Sequence, residues 1–130
     1  MENEFTVSTL LAAPPEKVFR AWLSSDGHTA MTGSAARVDP RVGGAFTAWD
    51  GYISGRTVAL KPYTRILQDW RTTEFPEDSP DSQIEIILEP VEGGTKLTLT
   101  HRNIPEGQTE SYRSGWVESY FQPMKEYFAE

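Results

Sequence analysis

Two histidines, His28 and His101, and no cysteine bound the chemistry open to this chain. Imidazole is the side chain whose ordinary pKa lies near neutrality, so a buried histidine could serve as an acid or a base. His101 extends the face of Leu97 and Leu99 and should point inward, where a tyrosine or backbone carbonyl would hydrogen-bond it. His28 falls on a weak helical stretch and is expected to be solvated. Zinc requires three or four converging ligands; two distant histidines do not supply them, and neither a metal nor a cofactor is expected. There is no GxSxG elbow and no SxxK. Gly43-Gly44 and Gly93-Gly94 fall in hairpins rather than ahead of a helix, so neither cradles phosphate. The acidic loop at 77–81 lacks the glycine turn and closing Glu of a calcium loop and reads as solvated. With no catalytic constellation, the expectation is a protein that is not an enzyme.

Aromatic residues are the better candidates, and they imply binding rather than catalysis. The chain ends in SYRSGWVESYFQPMKEYFAE. At helical spacing Tyr112, Trp116, Tyr120, Met124 and Tyr127 form one ridge, with Val117, Phe121 and Phe128 beside it. Arg113, Glu118, Gln122, Lys125 and Glu126 take the other side. Trp70, Leu99, Trp116, Tyr120 and Met124 could line an apolar cleft between this helix and a sheet, with Trp22, Trp49, His28 and His101 as further candidate ligand contacts. The plainer alternative is that these side chains fill a core. Pro123 interrupts the helix, removing the hydrogen bond to the Ser119 carbonyl, and is expected to bend it over a concave sheet.

Those residues need a scaffold. Residues 4–12 read as a strand with Phe5, Val7, Thr9 and Leu11 on one face. Pro14-Pro15 opens a short helix to about residue 24, burying Val18, Phe19, Trp22 and Leu23. A weaker helix at about 26–31 stops at Gly33. Strands then follow to about residue 104. Ile84, Ile86 and Leu88 alternate with Glu85 and Glu89, and Leu97 and Leu99 with Thr98 and Thr100, which describes an antiparallel sheet covered on one face. Asp50-Gly51 marks a turn. Asp50 with Arg56, or Asp69 with Arg71, could pair around the sheet at about 0–1 kcal/mol each. The final helix should run over about 109–129, roughly 30 Å, with Thr109 as N-cap.

At 130 residues, 38% hydrophobic and 24% charged, the chain reads as one globular domain, 1–130. A net charge of −7 excludes nucleic acid and anionic membrane surfaces as expected partners. No apolar run reaches the ~20 residues of a membrane span, and the acidic start MENEFTVSTLL has no signal-peptide pattern. A cytoplasmic location is the expectation, with a monomer or weak homodimer formed through an open sheet edge.

One strand, two short helices, a run of antiparallel strands and one long final helix: this order resembles the helix-grip fold of the START-like (SRPBCC), birch-pollen-allergen superfamily. APPEKVFRAWL, VDPRVGGAF, LEPVEGGTKLTLTH and IPEGQTESYRSGWVESYF resemble the activator of heat-shock protein 90 ATPase homologue family. DGYISGRTVALKPYTRILQDWR resembles the carboxy-terminal domain of the eukaryotic co-chaperone. The resemblance implies an α+β fold, a curved sheet wrapped around the last helix, a pocket between them, and His28 near its opening. The NxxxWHW pattern of the co-chaperone's other domain does not occur, so activation is not implied. Binding of a small hydrophobic or amphipathic ligand, docking to a heat-shock chaperone, or an aromatase/cyclase-type enzyme are the functions consistent with it.

Overall fold

Alternating apolar and polar residues make most of the sheet, and the alternation is visible in burial. Along β6 (Ser82–Val91) as far as Leu88, and along β7 (Gly94–Arg102), every second residue is buried, Ile84 and Ile86 on the first and Leu97, Leu99 and His101 on the second. The computed structural model describes residues 3–129. Its other strands are β1 (Phe5–Leu11), β2 (Arg37–Val38), β3 (Ala45–Ala48), β4 (Ile53–Lys61) and β5 (Arg65–Thr72). They form one antiparallel sheet in the order β1-β7-β6-β5-β4-β3-β2. Register shifts between Thr57 and Ala59, and a bulge of this kind bends a strand and adds twist. Gly55 lies beside it for a steric reason: a Cβ there would collide with the Asp69 carbonyl and the Phe46 ring.

Helices cover one face. α1 (Pro15–Trp22) buries Val18, Phe19 and Trp22, and α2 (Ser25–Thr32) starts with the Ser24 hydroxyl accepting the Gly27 N–H and ends at Gly33 with φ 80°. α1 packs on β6 and β7; α2 packs against the last helix, which also runs along β1. That last helix, α3, comprises Thr109–Gly115, a wider π-helical stretch Trp116–Phe121, and Gln122–Phe128. Thr109 is not its N-cap. The chain enters from a turn in which the Gln108 N–H donates to the Pro105 carbonyl, so Gln108 takes the capping position without a side-chain cap.

The π stretch is how the helix answers Pro123. The Gln122 N–H donates to the carbonyl of Val117, five residues back rather than four. Widening the turn just before the proline relieves the crowding its ring would cause in a tight turn. It also resets which residues face inward. At 3.6 residues per turn, a row spaced by four drifts about 40° per step, so a strict row from 112 to 128 would wander off one face. The wide turn absorbs that drift, and Tyr112, Trp116, Tyr120, Met124 and Phe128 are all buried. Tyr127 and Val117, expected on or beside the ridge, are instead 40% and 46% exposed.

Ion pairs also differ from the expected set. Arg71 pairs with Asp81 at 2.8 Å rather than with Asp69, and Arg56 donates to the Gly43 carbonyl rather than to Asp50. On the outer face Glu85 lies between Arg65 at 2.7 Å and Arg102 at 3.4 Å. The hydrogen bond from Arg65 is the main cause holding its carboxyl below the usual glutamate range.

Candidate functional site

A cleft of about 390 Å³ opens between α3 and the hairpin loop at 49–52. One wall is the helix, with Ser111, Gly115 and Ser119 at four-residue spacing and the rings of Tyr112, Trp116 and Tyr120 beside them. Trp49, Tyr52 and Ile53 make the facing wall, and Trp70 of β5 closes the inner end. Six of these side chains are aromatic, and none is Lys, Arg or His.

Backbone geometry presents Trp49 to the cleft. Trp49 and Asp50 both have positive φ, 53° and 59°, followed by Gly51 at 92°. The Gly51 N–H donates to the Ala48 carbonyl at 3.2 Å and the Asp50 N–H to the Ala35 carbonyl at 2.9 Å, which holds the turn. A left-handed conformation at a bulky residue costs on the order of 1–3 kcal/mol. Asp50-Gly51 signalled the turn; that it begins one residue earlier, at a tryptophan, was not evident.

Behind the cleft wall each histidine is locked in one tautomer. The Trp116 indole N–H donates to Nδ1 of His101 at 3.0 Å. Nε2 must then carry the proton, which goes to Ser82 Oγ at 2.8 Å, and the Ser82 hydroxyl donates to the Trp70 carbonyl at 2.6 Å. His28 has the opposite form. Its Nδ1–H donates to the Trp22 carbonyl at 2.9 Å, and Nε2 accepts the Tyr120 hydroxyl proton at 2.6 Å. Burial pushes the His101 pKa down to about 3 and that of His28 down as well, the latter opposed by the bond to Trp22. Burial raises the Tyr120 hydroxyl. Both imidazoles are neutral, and neither keeps a free lone pair for proton transfer.

The sequence candidates therefore separate into two shells. Trp49, Trp70, Trp116 and Tyr120 line the cleft. Trp22 and His28 lie behind Tyr120, with ring centroids 5.2 and 5.5 Å from it. His28 is 3% exposed, not solvated, because Tyr120 covers it. His101 is sealed behind Trp116, and Leu99 and Met124 are wholly core. Tyr52, Ile53, Ser111, Tyr112, Gly115 and Ser119 line the cleft and were missed. The i, i+4, i+8 spacing of Ser111, Gly115 and Ser119 was the available signal.

Polar capacity in the cleft is limited. The Tyr112 hydroxyl donates to Gln108 Oε1 and accepts from Thr72, both at 2.7 Å. Burial, partly offset by the bond from Thr72, pushes its pKa up to about 12. At the mouth the Tyr52 hydroxyl donates to a Glu74 carboxylate oxygen at 3.1 Å. Trp70 Nε1 has no hydrogen-bond partner among the described residues. No side-chain nitrogen or oxygen there is both sealed and unpaired, so this N–H reaches open space on a ring that lines the cleft.

Two short helices, a curved seven-stranded antiparallel sheet and a long closing helix define a helix-grip protein. Residues 12–129 match the family model described as Activator of Hsp90 ATPase homolog 1-like protein, and the chain belongs to that family. It is 29% identical over 125 residues to the human activator of 90 kDa heat shock protein ATPase homolog 1, covering 96% of this chain and 37% of that protein. The chain thus spans little more than a third of the length of that relative. Among solved structures, an HSP90 activator from Plasmodium falciparum superposes with a TM-score of 0.80 at 29% identity, covering 92% of this chain and 90% of that one. A Chromobacterium violaceum protein gives 0.80 at 28% identity, covering 98% of both chains. No helix among the described residues is long and apolar enough to cross a membrane.

Proposed function

We propose that this domain binds a small hydrophobic or amphipathic molecule in the cleft between α3 and the sheet, and performs no covalent chemistry on it. One observation carries the reading: an aromatic-lined cleft of about 390 Å³, within the roughly 300–1,000 Å³ usual for ligand sites. The absence of a free general base at His28 or His101 supports a binding role over an aromatase/cyclase-type reaction. A cytoplasmic location fits the same reading.

Gly115 provides the test. A Cβ there meets nothing within 4 Å, so a larger side chain would enter open space. A non-glycine residue should also favour the helix, by roughly 0.5–1 kcal/mol in the alanine case. Titration with the neutral fluorophore N-phenyl-1-naphthylamine should saturate for the parent chain and fail for Gly115→Phe at undiminished stability. No saturable signal from the parent, or equal binding by the folded variant, would remove the cleft as the site.

A second reading, docking to a heat-shock chaperone, is favoured by what the relatives are called: the human protein and the Plasmodium protein are both described as activators. Sedimentation with a purified Hsp90-class chaperone should show a shared boundary; independent sedimentation at micromolar concentrations would discard it.

A further inference from the structure

The composition of the cleft defines its occupant more narrowly. We propose that it selects a compact organic cation, a quaternary ammonium or protonated amine on an apolar body, over a neutral molecule of the same shape; this rests on the ligand-binding reading above.

Aromatic faces carry negative quadrupoles that attract cations, and aromatic cages are a recurrent solution for quaternary ammonium. Here six rings line one cleft, two of them, Trp49 and Tyr52, only half-buried and so open to a guest. No cationic side chain lines it to repel such a guest. The two histidines behind the wall stay neutral through their fixed hydrogen bonds.

The hydroxyl protons of Tyr112 and Tyr120 are committed to Gln108 and His28, so neither hydroxyl offers a donor toward the cleft. Among the lining residues an anion would find only neutral donors, the indole N–H groups of Trp49 and Trp70 and two serine hydroxyls. Outside the lining itself, the Glu74 carboxylate accepts the hydroxyl proton of Tyr52, which does line the cleft, and so puts a negative charge next to it. Its loop is tied to the helix start by the Gln108 side-chain N–H, which donates to the Glu74 carbonyl at 3.0 Å. The net charge of −7 favours approach of a cation. The unspent Trp70 N–H leaves a place for one oxygen acceptor on the same molecule.

A matched pair of probes separates charge from shape: benzoylcholine, and 3,3-dimethylbutyl benzoate, in which carbon replaces the charged nitrogen. Calorimetry on the full chain should give about tenfold tighter binding for the cation. Glu74→Gln should narrow that preference about two- to threefold while leaving the neutral ester unaffected. Equal or tighter binding of the neutral ester overturns the cation preference and leaves the ligand-binding reading standing. If neither ester saturates, both readings fail. A cation preference that persists in Gly115→Phe would place the binding elsewhere and overturn the assignment.

Discussion

Trp116→Ala should lower unfolding stability by about 3–5 kcal/mol, the range for removing a large aromatic from a packed interior. Trp116 is 2% exposed, and its ring lies 4.7 Å from Tyr120, 5.5 Å from Trp70 and 6.2 Å from Trp22 between centroids. Its indole N–H is also the partner of His101 Nδ1. Losing that donor leaves a buried acceptor unpaired, itself worth about 1–3 kcal/mol. Trp116→Phe keeps most of the ring but not the N–H, and should show chiefly the second loss. Urea unfolding followed by circular dichroism measures both. A near-neutral Trp116→Ala would mean that the residue is a surface contact rather than the joint between helix and sheet.

Acid should destabilise the fold well before the carboxylates titrate. Folding depresses the His101 pKa from 6.5 to about 3, so below pH 6.5 the unfolded chain binds a proton that the native state refuses. The stabilisation is complete above pH 6.5 and is lost progressively as pH falls toward 3, at up to about 1.4 kcal/mol per pH unit. His28, also depressed by burial, acts in the same direction. Urea midpoints at pH 7.5, 6, 5 and 4.5 should therefore fall steadily, while the native-state imidazole signal of His101 shows no titration down to pH 4.5. Stability that is flat from 7.5 to 5 would mean that His101 is solvated.

Local periodicity made much of this legible. Ile84, Ile86, Leu88, Leu97 and Leu99 alternate because one face of a sheet is dry, and that can be read from two neighbouring strands alone. Gly33 ended α2 for a reason carried by its own backbone, the left-handed φ. What escaped depends on distant partners. His28 is buried because Tyr120, 92 residues later, covers and hydrogen-bonds it. Arg71 reaches Asp81 across a loop rather than its neighbour Asp69. A 3.6-residue repeat favours Tyr127 over Phe128 on the inner face; the wide turn ahead of Pro123 reverses that preference, and the spacing of residues alone does not announce it. The cleft followed the same division. Its four tryptophan and tyrosine candidates were visible as large aromatics, whereas Tyr52 and Ile53 enter through a turn whose geometry begins at Trp49.

The two-shell arrangement of the tryptophans can be read from their four indole N–H resonances. Trp49 and Trp70 line the cleft, while Trp22 stands behind Tyr120 with its N–H bonded to Gln68 Oε1 at 3.1 Å. Nitrogen-15 spectra recorded with either benzoate ester at saturation should move the Trp49 and Trp70 signals and leave Trp22 in place. Shifts at Trp22 alone, or no indole shift with an ester that calorimetry shows to be bound, would contradict a guest held between the terminal helix and the 49–52 turn.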